Sequence, residues 1–197
     1  MPEQPEEATL HVLELDARSL RGLAHPLRMQ LLTALRHGGP ATASQLAAKL
    51  GESSGATSYH LRQLAAHGFV EDAPEHGKGR ERWWRSVHEG VQFHDALRND
   101  PDPAVRGAAD LFMHEVANTH TRELSTWLGN QNDWSDAWKR SSDLSDFTLR
   151  LTPEHALELI QRMHELVDSY RAQAPAEGTP DAETVRVHTH VFPTHTT

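Results

Sequence analysis

The chain has 197 residues, 37% of them hydrophobic, and a formal net charge of −9; that length suits one large domain or two small ones. No apolar run approaches the ~20 residues of a membrane helix, and Met1 to Ala8 is acidic where a secretory leader would be basic. There is no cysteine, which excludes disulfides, thiolate metal sites and thiol redox switches; the expectation is a cytoplasmic protein with no membrane association and no cofactor.

In chain order, residues 1–15 read as an N-terminal arm, polar to Glu7 and then alternating over Leu10 to Leu15, as a short strand or a segment lying on a partner would. Asp16 can cap a helix over Ala17 to Ala24 with Leu20 and Leu23 inward. Pro26 fits the first turn of the next helix, where its missing N–H costs nothing. That helix runs to His37 with Leu27, Leu31, Leu32 and Leu35 inward, and Gly38-Gly-Pro40 ends it. Thr42 or Ser44 can cap a third helix, Ala43 to Leu50, whose Leu46, Ala47 and Leu50 face inward. Gly51 stands where a helix needs a left-handed residue after its end.

Ser53 or Ser54 caps a fourth helix that runs to His67 and stops at Gly68. At about 100° per residue it divides into two faces. Thr57, Leu61, Leu64 and Ala65 fall on one, and Gly55, Ser58, Tyr59, Arg62, Gln63 and Ala66 on the other. The second face has small residues, hydrogen-bonding tips, one fixed cation and no acid, which suits a helix laid in a DNA major groove. His60 sits at the edge of the buried face, as a satisfied core histidine would. Phe69 to Ala73 and Arg82 to Val87 read as two strands. Between them Glu75-His-Gly-Lys-Gly-Arg-Glu81 is a glycine-flanked basic tip suited to phosphates. Trp83 and Trp84 must point to opposite faces of their strand, one into the core and one in need of a cover.

Ser58-Tyr-His-Leu-Arg-Gln-Leu-Ala-Ala-His-Gly-Phe-Val70 resembles the recognition helix and strand entry of ArsR-type winged-helix repressors, and Arg21-Gly-Leu-Ala-His-Pro-Leu-Arg-Met-Gln-Leu-Leu32 resembles that family's opening signature. The resemblance covers residues 16–88. It implies a dimeric winged helix-turn-helix regulator that binds double-stranded DNA, and a long dimer helix after the wing. Candidate DNA contacts are Ser44, Gln45, Ser54, Thr57, Ser58, Tyr59, Arg62 and Gln63 on the helices, with Lys78, Arg80 and Arg82 on the hairpin. The charge distribution agrees. Residues 16–88 hold ten Lys and Arg against six Asp and Glu, a net of +4, while the remainder carries −13. Local charge sets phosphate attraction, because salt screens beyond about 8–10 Å.

Residues 89–197 read as a second, acidic unit for dimerisation and effector binding. Gly90 to Asn99 is expected to be helical. Asp102-Pro103 opens a long helix that runs to Leu128 and stops at Gly129, with Val105, Ala109, Phe112, Val116, Leu124 and Trp127 on its apolar stripe, interrupted at His120. Asp133 to Arg140 reads as a short helix, and Leu144 to Leu151 alternates as a half-buried strand does. Thr152-Pro-Glu154 opens a helix with Ala156, Ile160, Met163, Val167 and Tyr170 on one side. A Pro/Gly/acid linker follows over 174–183, and Thr184 to Phe192 alternates again. Two strands bracketing a helix suggest a small α/β layer, paired within the chain or across a dimer. The expected class is mainly α with small β, a winged helix-turn-helix domain followed by a helical or α+β dimerisation unit.

The chemistry is sparse. Fifteen histidines invite a metal-sensing alternative, but His120/Glu123 and His155/Glu158 are two-ligand pairs where a site needs three or four; His188, His190 and His195 could meet only across a dimer. No Gly-rich phosphate loop, Gly-x-Ser-x-Gly or His-Glu-x-x-His occurs, so no enzyme is expected. A winged-helix module for protein–protein contact is a further alternative, opposed by the basic wing. Phe112, Trp127, Trp134 and Trp138 are core residues by default and otherwise an aromatic pocket for a small-molecule effector.

Overall fold

The computed structural model describes residues 12–77, 81–176 and 178–194. The chain divides into two compact units, Met1–Leu128 and Gly129–Thr197. The first holds β1 (Val12–Glu14), α1 (Ala17–Leu23), α2 (Pro26–Gly38), β2 (Ala41–Thr42), α3 (Ala43–Leu50), α4 (Ser54–Ala66), β3 (Val70–Asp72), β4 (Trp83–Ser86), β5 (Gly90–Gln92) and α5 (Pro103–Gly129). The second holds α6 (Asp136–Arg140) and α7 (Pro153–Arg171). Short 3-10 turns occupy Pro74–His76, Asp95–Asn99 and Gln131–Asp133. The structure is mostly helical, as the sequence indicates, and no helix among the described residues is long and apolar enough to cross a membrane.

Local signals set the helix ends of the first unit. Asp16 and Ser19 form a reciprocal capping box on α1, and Thr42 and Gln45 form another on α3. Ser53 caps α4 by accepting from the Ala56 N–H. The His25 ring caps α2, its Nδ1 accepting from the Leu27 N–H at 3.2 Å. Gly51 ends α3 with φ of 70°, and Gly68 turns the chain out of α4 at φ of 75°, both in the left-handed region where a Cβ is penalised.

Leu20, Leu23, Leu31, Leu61, Leu64 and Phe69 are sealed in the centre of the core, with Leu27, Leu32, Leu35 and Leu46 around them. Gly22 lets α1 approach the end of α4: a Cβ there would stand 2.4 Å from the His67 ring. β4 is the middle strand of an antiparallel sheet ordered β2-β4-β3, pairing Trp84 with Ala41 on one side and with Asp72 on the other. Trp84 enters the core. Trp83 is covered by the His76 ring, stacked at 5.9 Å, and by Gly77.

Gly90 to Asn99 is not the helix expected. Gly90–Gln92 is a strand lying parallel to β1, with Val12 opposite Gly90 and Glu14 opposite Gln92, and a 3-10 turn follows. The strand needs a partner from the far end of the unit, which no local pattern reveals. It also settles Leu10 to Leu15 as a strand from Val12 onward; residues 1–11 of the expected arm lie outside those described. α5 contributes Val105, Ala109 and Phe112 to the core, and Phe93 stacks on Phe112 at 5.4 Å. Val116, Leu124 and Trp127, further along the stripe, are half-buried.

The second unit departs further from expectation. Leu144 to Leu151 and Thr184 to Phe192 run without helix, turn or bend, and neither joins a strand ladder among the described residues. The expected α/β layer is therefore absent there, because alternation sets a strand's two faces but not its neighbour. Asp133 to Arg140 splits into a 3-10 turn and α6, with Ser135 capping the latter. α7 is capped by Thr152 and begins at Pro153 as expected. Along its stripe Ala156, Ile160, Met163 and Val167 are half-buried, while Tyr170 is exposed.

Candidate nucleic-acid interface

The surface is built on the hinge between α3 and α4. Leu46 and Ala47 of α3 and Thr57, Leu61 and Leu64 of α4 are buried, so the packing of the two helices fixes which side of α4 faces out. On that side stand Ser54, Gly55, Tyr59, Arg62 and Ala66, all exposed, with Ser58 and Gln63 half-exposed. Tyr59 is 53% exposed, a high value for an aromatic ring, and its edge rests on His60 at 5.1 Å. Arg62 has no ion-pair partner among the described residues. Thr42, Ala43, Ser44, Ser58, Arg62, Glu81, Arg82 and Trp84 line one open depression where α3, α4 and β4 meet.

Thr57 is a correction. Its side chain is wholly buried and its hydroxyl has no partner among the described residues, so it cannot reach a base edge; it faces α3 with the leucines. Gln45 is exposed, but its Oε1 accepts from the Thr42 N–H at 2.8 Å, which leaves its amide group to offer outward. Ser44 donates to Glu81 Oε1 at 3.3 Å.

At the wing, Lys78 and Arg80 lie outside the described residues. Arg82 is engaged within the hairpin: its Nε and one terminal nitrogen donate to the two carboxylate oxygens of Asp72, the second at 2.8 Å, and its guanidinium lies 4.1 Å over the Trp84 ring. The hydrogen bonds to Asp72 hold its pKa above the ordinary arginine value. Arg85, which sequence reading left aside, donates to Glu71 at 2.8 Å and Glu75 at 2.7 Å. The described hairpin cations thus pair with carboxylates, whereas Arg62 of α4, which shares its depression with Glu81, forms no ion pair with a described residue.

Beneath α4, the rings of His25 and His60 meet at a tilt of 37° with centroids 4.3 Å apart. His60 is not the satisfied histidine expected: its buried Nδ1 has no hydrogen-bond partner among the described residues. Burial, the neighbouring ring of His25 and the Arg28 guanidinium push its pKa below the ordinary histidine value. Burial and Arg28 push His25 the same way. Both rings therefore favour the neutral form, which His25 needs to accept the α2 cap with Nδ1. His25-Pro26 is legible in sequence as a helix start; the ring contact with His60 is not.

Of the aromatic set, Phe112 is spent in the core of the first unit and Trp127 is half-buried on α5. In the second unit Trp138 is half-buried with its Nε1 donating to the Asp181 carbonyl at 3.2 Å, and Trp134 is exposed. No group of three or more His, Asp or Glu side chains among the described residues is placed to hold a metal ion.

A three-stranded antiparallel sheet behind a helix–turn–helix pair, with one helix presenting a polar face, defines a winged helix-turn-helix unit. Residues 23–73 match the family model described as a helix-turn-helix domain, a segment that takes in most of both motifs on which the ArsR-type resemblance rests. Solved structures similar to the chain include the homodimeric winged helix-turn-helix DNA-binding domain of Mb0332 from Mycobacterium bovis, described as a possible ArsR-family regulator. It is 23% identical, with 54% of this chain and 82% of that one covered, at a TM-score of 0.34. The transcriptional repressor BigR from Xylella fastidiosa is 20% identical, with 52% and 84% covered, at 0.32. Lactococcus lactis ZitR, in a C30AH42A mutant apo form, is 16% identical, with 74% and 81% covered, at 0.30. No curated protein matches the chain.

Proposed function

We propose that the protein is a sequence-specific, DNA-binding transcription regulator of ArsR-like type and not an enzyme. It binds its operator as a homodimer, with α4 in the major groove and the hairpin between β3 and β4 on the backbone. The observation that carries this reading is the outward face of α4, where Arg62 stands without an acid among Ser58, Tyr59 and Gln63. A fixed cation among donors and acceptors is what a groove of base edges flanked by phosphates requires. Two such helices related by a two-fold axis read half-sites one helical turn apart. In this reading Ser44, Gln45 and Ser54 meet flanking phosphates, and Lys78, Arg80 and Arg82 belong to the wing's share. An effector that bound the aromatic residues of α5 or of the second unit would regulate by favouring one dimer geometry over another.

Selection of bound fragments from random duplex DNA tests the reading. The expected product is a two-fold symmetric site bound at a mass of twice 22.1 kDa, and Arg62→Ala should abolish the enrichment. Enrichment that survives Arg62→Ala would remove the outward face of α4 as the reading element, and a protein that enriches nothing would turn the winged unit into a contact surface for another protein.

A further inference from the structure

Residues 145–151 of the second unit, Ser-Asp-Phe-Thr-Leu-Arg-Leu, run without helix, turn or bend. Segment 143–151 makes no backbone hydrogen bond to another described residue. Phe147 is 80% exposed and Leu149 61%, and neither Asp146 nor Arg150 forms an ion pair with a described residue. An extended segment with free backbone groups and one apolar face is a template for strand addition.

The order of side chains states which strand it fits. If the segment is laid antiparallel on a second copy of itself about Thr148, Thr148 meets Thr148, Phe147 meets Leu149, and Asp146 meets Arg150, each twice by symmetry. Successive side chains alternate between faces, so both aromatic–aliphatic pairs fall on one face and both ion pairs on the other, with the central threonine pair. Directly opposed pairs of these kinds stabilise a ladder, whereas like charges there oppose it. A two-fold interface must be complementary to itself, and residues 146–150 are so in charge and apolarity together, while the outermost pair sets Ser145 against Leu151.

We propose that the second unit carries its own dimerisation element, an antiparallel ladder of residues 145–151 paired with the same residues of a second copy about Thr148. It deepens the dimer reading above and rests on it, but it assigns the contact to a segment separate from the DNA-facing unit. The ladder buries Phe147 and Leu149 of each chain and supplies the backbone partners that the segment lacks.

A charge swap in the full chain tests it. Asp146→Arg places arginines opposite arginines in the homodimer, and Arg150→Asp places aspartates opposite aspartates. When the two variants are mixed, both pairs are restored in the heterodimer alone. Native mass spectrometry of the equilibrated mixture should show heterodimer over either homodimer by roughly tenfold or more, against two to one for random exchange. The double variant Asp146→Arg/Arg150→Asp should regain the wild-type dimer, and alternate amides of 145–151 should be protected from hydrogen exchange. Both positions are exposed, so the variants test pairing and not folding. A two-to-one mixture, or amides of 145–151 that exchange freely in a dimer, overturns the ladder and leaves the dimer standing. A wild-type chain that is monomeric at every concentration overturns both.

Discussion

The two units use apolar residues in opposite ways. In the first, leucines from α1, α2, α3 and α4 meet Phe69, Trp84 and the start of α5 in one continuous core. In the second, every described residue is at least partly exposed, and Leu144, Phe147, Leu149, Leu157, Leu166, Val185, Val187 and Phe192 are openly so. Both sequences carry regular apolar patterns. A pattern supplies a face, and only a partner surface turns that face into a core. The first unit finds its partners within the chain; the second has a surplus of apolar surface of the kind that marks contact with another molecule.

The largest expected effect breaks or keeps this contrast directly. Leu61→Ala empties a fully buried site and should cost about 2–5 kcal/mol in urea unfolding. Leu166→Ala, on an exposed position of α7, should stay within about 0.5 kcal/mol. Equal losses at the two sites would mean that the second unit has a core of its own.

A finer version of the contrast lies inside the first unit, between the helix and the wing. Gln63→Ala should cost ~1–3 kcal/mol, mainly on the true operator, and relax preference at one base pair. Arg80→Ala should weaken binding to every duplex alike and lower the salt slope by ~1. Arg82→Ala should lower it by less, because Asp72 already neutralises that cation. Binding isotherms on operator and random duplexes at several salt concentrations separate the three. A change of base preference with Arg80→Ala and a uniform loss with Gln63→Ala would reverse the assignment.

The smallest effect concerns pH. His25 and His60 have pKa values below the ordinary 6.5, so between the lowered values and 6.5 the unfolded chain binds more protons than the folded one. The stability they carry is whole above about pH 6.5 and is lost as pH falls towards the folded values. Urea midpoints should therefore drop from about pH 7.5 to about pH 5, and His25→Asn, which keeps a capping acceptor but cannot titrate, should drop less. An identical pH slope in that variant would remove His25 from the account.

The sequence by itself determined α1 to α4 almost to the residue. Asp16, Thr42, Ser53, Pro26, Gly51 and Gly68 act on backbone groups three or four positions away, so their effect is written where they stand. The leucines that become the core, and the polar, acid-free side of α4, follow from helical spacing alone. Only the tertiary structure decided what depends on distant neighbours. It paired β1 with β5, engaged Arg82 with Asp72, and set the His60 ring against His25. It buried Glu115 of α5 where it accepts from Arg122 and Gln30. It left the Thr57 hydroxyl buried without a partner among the described residues, on the face that helical spacing already shares with Leu61 and Leu64. It also left Leu144 to Leu151 and Thr184 to Phe192 outside any ladder among the described residues. Periodicity reports which face of a segment is apolar, and pairing depends on which surface arrives to meet it, which no window of adjacent residues contains.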